Sequence, residues 1–304
     1  MVTDGDAGKA SGGGGADATP QGAEKHRVVD SAAAGGPDGG AGAPPGGSAE
    51  PPGNAGAFPT WHDVYEVSSY WADMTGHAYP HGILEMMQDS AWRHAEALGF
   101  GYTDLGQESL LWVLSRLDVD ITRMPRWGET VRLETWPTGT HRLFALREYC
   151  LYDDDERELL RANSAWLVLD GESRKPRKPG PVVEGRNIPL NPGNYDEAPG
   201  KIAPPDENTT DRYELRVRYS DIDAQRHVNN ARYVEWMLNG LPDDWMDTYW
   251  PRRLSVNFLR ECVAGDEIAI RTGREDDEHQ QRTSHSVMGV KQPVCLMNGL
   301  WAAR

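Results

Sequence analysis

No apolar run in the 304 residues approaches the ~20 that a membrane-spanning helix needs. Cysteine is scarce. Cys150, Cys262 and Cys295 are odd in number and too far apart for a disulfide framework or a CxxC metal site. They fit a reducing cytoplasm. The N-terminus lacks the apolar core of a secretory signal, and it is too acidic for a transit peptide. Lysine is confined to positions 9, 25, 175, 178, 201 and 291, so the basic side chains are mostly arginine. Formal net charge is −16. The first 57 residues hold seven acidic and three basic groups, which leaves −12 on the remainder. That sign argues against a nucleic-acid partner. An acidic, Lys-poor surface suits a high-salt cytoplasm and predicts greater stability at molar salt.

Gly, Ala, Pro and Asp dominate residues 1–57, in runs such as Ser11-Gly12-Gly13-Gly14-Gly15-Ala16. Such a stretch buries too little apolar surface to offset its ordering entropy. A disordered tail is expected there.

Beyond the tail the chain repeats itself. Arg116–Arg123 matches Arg253–Arg260, Gly128–Leu133 matches Gly265–Ile270, and Asn163–Trp166 matches Asn298–Trp301. Asp73 and His77 have the spacing of Asp223 and His227. A period near 140 residues is far too long for a solenoid repeat and means two copies of one domain. Boundaries fall at 58–180 and 205–304. Residues 181–204 serve as linker, within a Pro- and charge-rich stretch that starts near 171.

Each copy opens with a short alternating strand, as at Tyr213, Leu215, Val217 and Tyr219. A loop bearing Asp and His follows, then a helix. In copy one, Ile83, Leu84, Met87, Ala91, Ala95 and Leu98 share a helical face, and Gly99 marks its end. In copy two, Asn229 or Asn230 can cap a helix whose buried face is Val234, Met237, Leu238 and Leu241. Three to five strand-like runs with short turns come next. That order predicts an α+β fold of two tandem hotdog domains, each a long helix wrapped by an antiparallel β-sheet.

The stretch from Ser220 to Asn230 sets Asp223, Gln225 and His227 at alternate positions just before the copy-two helix. Thioester or ester hydrolysis needs a group that takes a proton from water and donors that hold the oxyanion. The motif supplies both types. As residues alone, Asp and Asn before a helix more often act as caps. This motif, together with Trp112–Arg116, Gly128–Trp136 and Phe258–Cys262, resembles the acyl-acyl-carrier-protein thioesterases of plants and bacteria. The resemblance runs from about residue 61 to the C-terminus. It implies hydrolysis of fatty acyl-acyl-carrier protein to free fatty acid, with no cofactor and no metal. The family's acidic residue, imidazole and distant carboxylate fall on Asp223, His227 and Glu261. Its carboxamide falls on Gln225, where Asn is usual. The extra methylene displaces the amide by about 1 Å, an error that can cost on the order of 100-fold in rate.

Glu261 or His227 would take the proton, with Asp223 orienting or acting on the acyl carbon. Backbone N–H groups around Asn229 and Asn230 could add to an oxyanion site. Cys262 with His227 suggests a thiol nucleophile, yet if the strand continues straight past Phe258 it shares a face with Leu254, Val256 and Phe258, and a buried thiol is a poor one. Copy one has Met124 in place of Glu261, so it reads as the acyl-chain pocket, with Met86, Met87 and Trp112 as candidate walls. Ordinary core packing explains those three equally well. Acyl-carrier protein is acidic, so docking requires a basic patch. Arg174-Lys175-Pro176-Arg177-Lys178 is one candidate, and Arg123, Arg126 and Arg132 another. Two hotdogs in one chain make a monomer viable and leave a homodimer open. The rivals are a coenzyme A thioesterase, a non-catalytic acyl-binding module degenerate at Gln225, and a hotdog dehydratase.

Overall fold

The computed structural model describes residues 60–195, 197–206, 210–277 and 280–304. The expected tail at 1–57 lies outside the described residues. In the first half, β1 (Trp61–Glu66) leads to α1 (Pro80–Ala97) and a short α2 (Tyr102–Gln107). Then come β2 (Leu110–Ile121), β3 (Thr130–His141), β4 (Phe144–Asp153) and β5 (Glu158–Asp170). A two-residue β6 (Pro176–Arg177) and α3 (Gly180–Val183) follow. The second half repeats the plan: β7 (Thr210–Arg216), a 3-10 turn (Tyr219–Asp221), α4 (Asn230–Leu238) and α5 (Trp245–Thr248). Its sheet continues with β8 (Tyr249–Phe258), β9 (Glu267–Asp277), β10 (Gln280–Met288) and β11 (Pro293–Ala303).

Local chemistry sets the helix limits. Pro80 occupies the first turn of α1, where its missing N–H costs nothing, and Gly99 at φ +72° ends it. The Asn229 side chain caps α4 by accepting the Ala231 N–H at 2.9 Å. Ile83, Leu84, Met86 and Met87 of α1 and Val234, Met237 and Leu238 of α4 are buried against the inner face of the sheet, in one core cluster that spans both halves.

The strands form a single antiparallel path, β1-β3-β4-β5-β2-β8-β11-β10-β9-β7. Its two halves are the same sequence of strands read from opposite ends. They meet where β2 pairs β8, with Arg116 opposite Asn257, Asp118 opposite Ser255 and Asp120 opposite Arg253. Arg116 and Arg253 are repeat equivalents, as are Asp120 and Asn257. The junction is therefore self-complementary about Asp118–Ser255, the pseudo-twofold contact of an isologous dimer made within one chain.

The linker is a strap over the outer face of the sheet. Buried Glu148 on β4 accepts the backbone N–H groups of Asn194 at 2.7 Å and Tyr195 at 3.1 Å. Asn163 on β5 donates to the Glu197 carbonyl at 2.8 Å, and Arg116 on β2 donates to Pro199 at 2.8 Å. Asn257 on β8 both accepts from Ile202 N–H and donates to the Gly200 carbonyl, each at 3.0 Å. Strand by strand, these polar groups carry the chain across from copy one to copy two, and for buried Glu148, Asn163 and Asn257 the hydrogen bonds are what makes burial tolerable.

Candidate active site

Asp223 through His227 form a tight loop fixed by its own first residue. The Asp223 carboxylate accepts the Gln225 N–H at 2.8 Å, and the Asp223 N–H donates to the His227 carbonyl at 2.9 Å. Arg226 closes the turn at φ +66°, a left-handed conformation that costs a side-chain-bearing residue about 1 kcal/mol. The equivalent residue in copy one is Gly76, at φ +78°.

Glu261 reaches this loop because its neighbour Cys262 is bonded at both ends. The Cys262 N–H donates to the Tyr233 hydroxyl at 3.0 Å, and its carbonyl accepts the Val228 N–H at 2.9 Å. Glu261 Oε2 then lies 3.2 Å from His227 Nε2. The Arg174 guanidinium contacts both oxygens of the same carboxylate. The Cys262 side chain is buried, and burial pushes its thiol up, away from the reactive thiolate.

One cavity of about 640 Å³ adjoins these groups. Asp223, Gln225, His227, Asn229, Asn230 and Glu261 line one end. The wall then crosses the copy-one sheet by way of Leu110–Leu114 on β2, Trp166 on β5, Ala145–Arg147 on β4, and Pro137 and Gly139 on β3. At ~4.8 Å per strand, β2 to β3 is roughly 14 Å. Trp112 stands in this wall, its indole N–H on the Phe100 carbonyl at 2.8 Å. Met86 and Met87 do not. On α1 the cavity stripe is Glu85, Gln88, Trp92 and Ala95, and both methionines fall off it at helical spacing. They are core residues, and Met87 borders only an apolar void of about 20 Å³ where the two halves meet.

Gln88 is a site residue that the sequence reading missed. Its side chain accepts from Asn230 Nδ2 at 3.0 Å and donates to Asn229 Oδ1 at 3.4 Å, which ties the cavity helix to the start of α4. The available signal was a polar residue amid the apolar stripe Leu84, Ala91 and Ala95. The Ala231 N–H is taken by the Asn229 cap and the Arg232 N–H by the Asn229 carbonyl, so neither can serve an oxyanion.

The equivalent indole in copy two is packed inside instead of lining that cavity. Trp301 is fully buried and meets Trp245 of α5 edge-on at 5.8 Å. Trp301 lies over Gly299, where a Cβ would come within 2.5 Å of its indole nitrogen. The copy-one equivalents are Ser164 and Trp166, and there the serine hydroxyl instead accepts the indole N–H at 2.9 Å. The loop chemistry has also decayed in copy one. Asp73 still accepts the Thr75 N–H at 2.8 Å, but buried Met124 stands at the Glu261 position. His77 faces Arg304 at 3.2 Å and is pushed down, first by burial and then by that guanidinium.

The basic clusters are largely engaged. Arg123 pairs with Glu129 and Asp153, Arg132 with Glu134 and Glu156, and Arg177 with Asp170. Among the described residues no group of His, Cys, Asp and Glu is arranged to hold a metal ion, and no helix is long and apolar enough to cross a membrane.

Fold and site together define a tandem-hotdog protein with a large cavity that ends at a carboxylate-bearing loop. Models of the acyl-ACP thioesterase N-terminal and C-terminal domains match residues 59–181 and 204–302, and the chain belongs to that family. A chloroplastic acyl-acyl-carrier-protein hydrolase of Cuphea viscosissima is 29% identical over 195 residues, 59% of this chain and 47% of its own. A chloroplastic oleoyl-acyl carrier protein thioesterase of Arabidopsis thaliana is 27% identical over 225 residues, 67% of this chain and 61% of its own. The chain thus spans about half to three-fifths of these plant relatives. An acyl-ACP thioesterase structure from Bacteroides thetaiotaomicron superposes with TM-score 0.69 at 26% identity, over 80% of this chain and 97% of that one.

Proposed function

We propose that the protein hydrolyses the thioester of fatty acyl-acyl-carrier protein, releasing free fatty acid and so terminating fatty acid synthesis. The observation that carries this reading is the Glu261–His227 pair, 3.2 Å apart, at the end of a long cavity in the other half of the chain. The acyl chain lies in copy one and the thioester at the copy-two loop. Glu261 and His227 act as one proton-accepting pair: water gives up a proton to it and attacks the acyl carbon, and the tetrahedral intermediate collapses with loss of thiolate. Thiolate leaves readily, so no strong acid is required. Asp223 builds the loop and orients its groups. The Gln225 carboxamide holds the water or the oxyanion.

The physiological partner on this reading is acyl-carrier protein, in a reducing cytoplasm that suits three buried free thiols. The internal pseudo-twofold lets the chain work as a monomer. Parallel assays on matched acyl-acyl-carrier-protein and acyl-coenzyme A substrates test the assignment. Faster release of thiol and fatty acid from the carrier-protein substrate is expected. A preference for coenzyme A would transfer the protein to the coenzyme A thioesterases, and binding without turnover would make it an acyl-binding module.

A further inference from the structure

We propose that Arg174, presented by copy one, is a positioning residue for Glu261 of copy two; this rests on the reading of Glu261 and His227 as the proton-accepting pair. The two residues are 87 positions apart in sequence, and the contact exists only because the hairpin after β5 reaches over the junction. That hairpin is tightly built. Asp170 accepts the Ser173 N–H at 2.8 Å and hydroxyl at 2.7 Å, and pairs with Arg177 at 2.6 Å. The Asp170 backbone exchanges bonds with Lys175 and Arg174, at 3.0 and 2.8 Å. Gly171 N–H is anchored on the Ser109 carbonyl at 2.7 Å.

Within this frame Arg174 sits at φ +56°, where glycine is the unstrained choice. The turn fixes where the Arg174 side chain is presented. Stability does not explain it. The two side chains are 39% and 35% exposed, and an ion pair so open to water contributes little. Docking does not explain it either, because the guanidinium is already engaged with a carboxylate of its own chain.

Positioning does explain it. The backbone on both sides of Glu261 is pinned, by the Arg260 N–H on the Val294 carbonyl at 3.1 Å and the Cys262 N–H on Tyr233 at 3.0 Å. What remains free is rotation of the Glu261 side chain. His227 holds one oxygen from the loop side, and Arg174 grips both oxygens from the hairpin side. A glutamate held from two directions keeps one oxygen on the imidazole, and it depends on both halves of the chain being correctly docked.

The test is steady-state kinetics on acyl-acyl-carrier protein with Arg174→Ala, Arg174→Lys and, on the same hairpin, exposed Glu172→Ala, alongside Glu261→Gln. A misplaced catalytic group can cost up to ~100-fold, so loss of one of two restraints should lower kcat on the order of 10-fold, with KM unchanged. Arg174→Lys should recover most of the rate, and Glu172→Ala should match wild type. An Arg174→Ala enzyme with wild-type kcat overturns the proposal, and so does a rise in KM alone, which would return Arg174 to carrier-protein docking. Full activity in Glu261→Gln would defeat the underlying reading as well, and is recognisable separately.

Discussion

Replacing Ala145 by leucine should shorten the longest chain that the enzyme accepts. Ala145 is buried on β4 and lines the cavity two strands away from β2, roughly 10 Å along its course. Leucine puts about three more carbons into that wall, which removes room for about three methylenes of an acyl chain at ~0.8 kcal/mol each. A chain that fills the wild-type cavity should lose about 2.4 kcal/mol of binding, on the order of 60-fold in kcat/KM. Chains that stop short of β4 should react at the wild-type rate, because the loop at Asp223–His227 is untouched. The assay is kcat/KM across an even-numbered acyl-acyl-carrier-protein series, with a thermal midpoint to confirm folding. An equal fall at every length, or no shift in the preferred length, would refute the placement of the acyl chain in copy one.

Cys262→Ser should keep most activity, since the backbone of that residue and not its thiol holds Glu261 beside the loop; a loss near 1000-fold in a folded variant would reinstate the thiol as nucleophile. Glu148→Ala removes the acceptor for the linker strap and should lower unfolding free energy by about 2–4 kcal/mol in denaturant titration; a change under about 1 kcal/mol would show that the strap is held elsewhere. His285 is fully buried and pushed down to about 3, so it is neutral in the fold and takes up a proton on unfolding below its ordinary value of about 6.5. Its contribution is complete above pH ~6.5 and erodes by up to ~1.4 kcal/mol per unit as pH falls towards 3. His285→Phe should flatten that acid slope, and an unchanged slope would assign the sensitivity to other groups.

The two-copy fold was legible because its determinants are local. Helical spacing from Ile83 to Ala95, the Asn229 cap and the alternating strands each act within a few residues. The repeat even foreshadowed the junction, since Arg116–Arg123 and Arg253–Arg260 become the paired strands at the pseudo-twofold. Three features depend on contacts between distant residues and left little trace. Gln88 is one polar residue on an apolar stripe, and nothing nearby names Asn229 and Asn230 as its partners. Arg174 looked like one of five residues in a candidate docking run until the hairpin set it against Glu261. The burial of the copy-two indole Trp301 rests on Gly299 where copy one has Ser164, and on Trp245 in a short helix with no strong period. Met86 and Met87 were offered as walls because they are apolar and near; α1 turns a different stripe to the cavity. Composition read 181–204 as a plain linker, while the groups that secure it, Glu148, Asn163 and Asn257, lie in the strands.

The most direct measurement is free-thiol release from a panel of acyl-acyl-carrier proteins of different chain lengths, with Asp223→Ala and Glu261→Ala as controls. Turnover by the wild type that is lost in both variants is the predicted result, and the panel would give the chain-length preference. A well-folded wild type that turns over no chain would contradict the account, make Gln225 the disabling departure, and leave a protein that binds acyl chains without cleaving them.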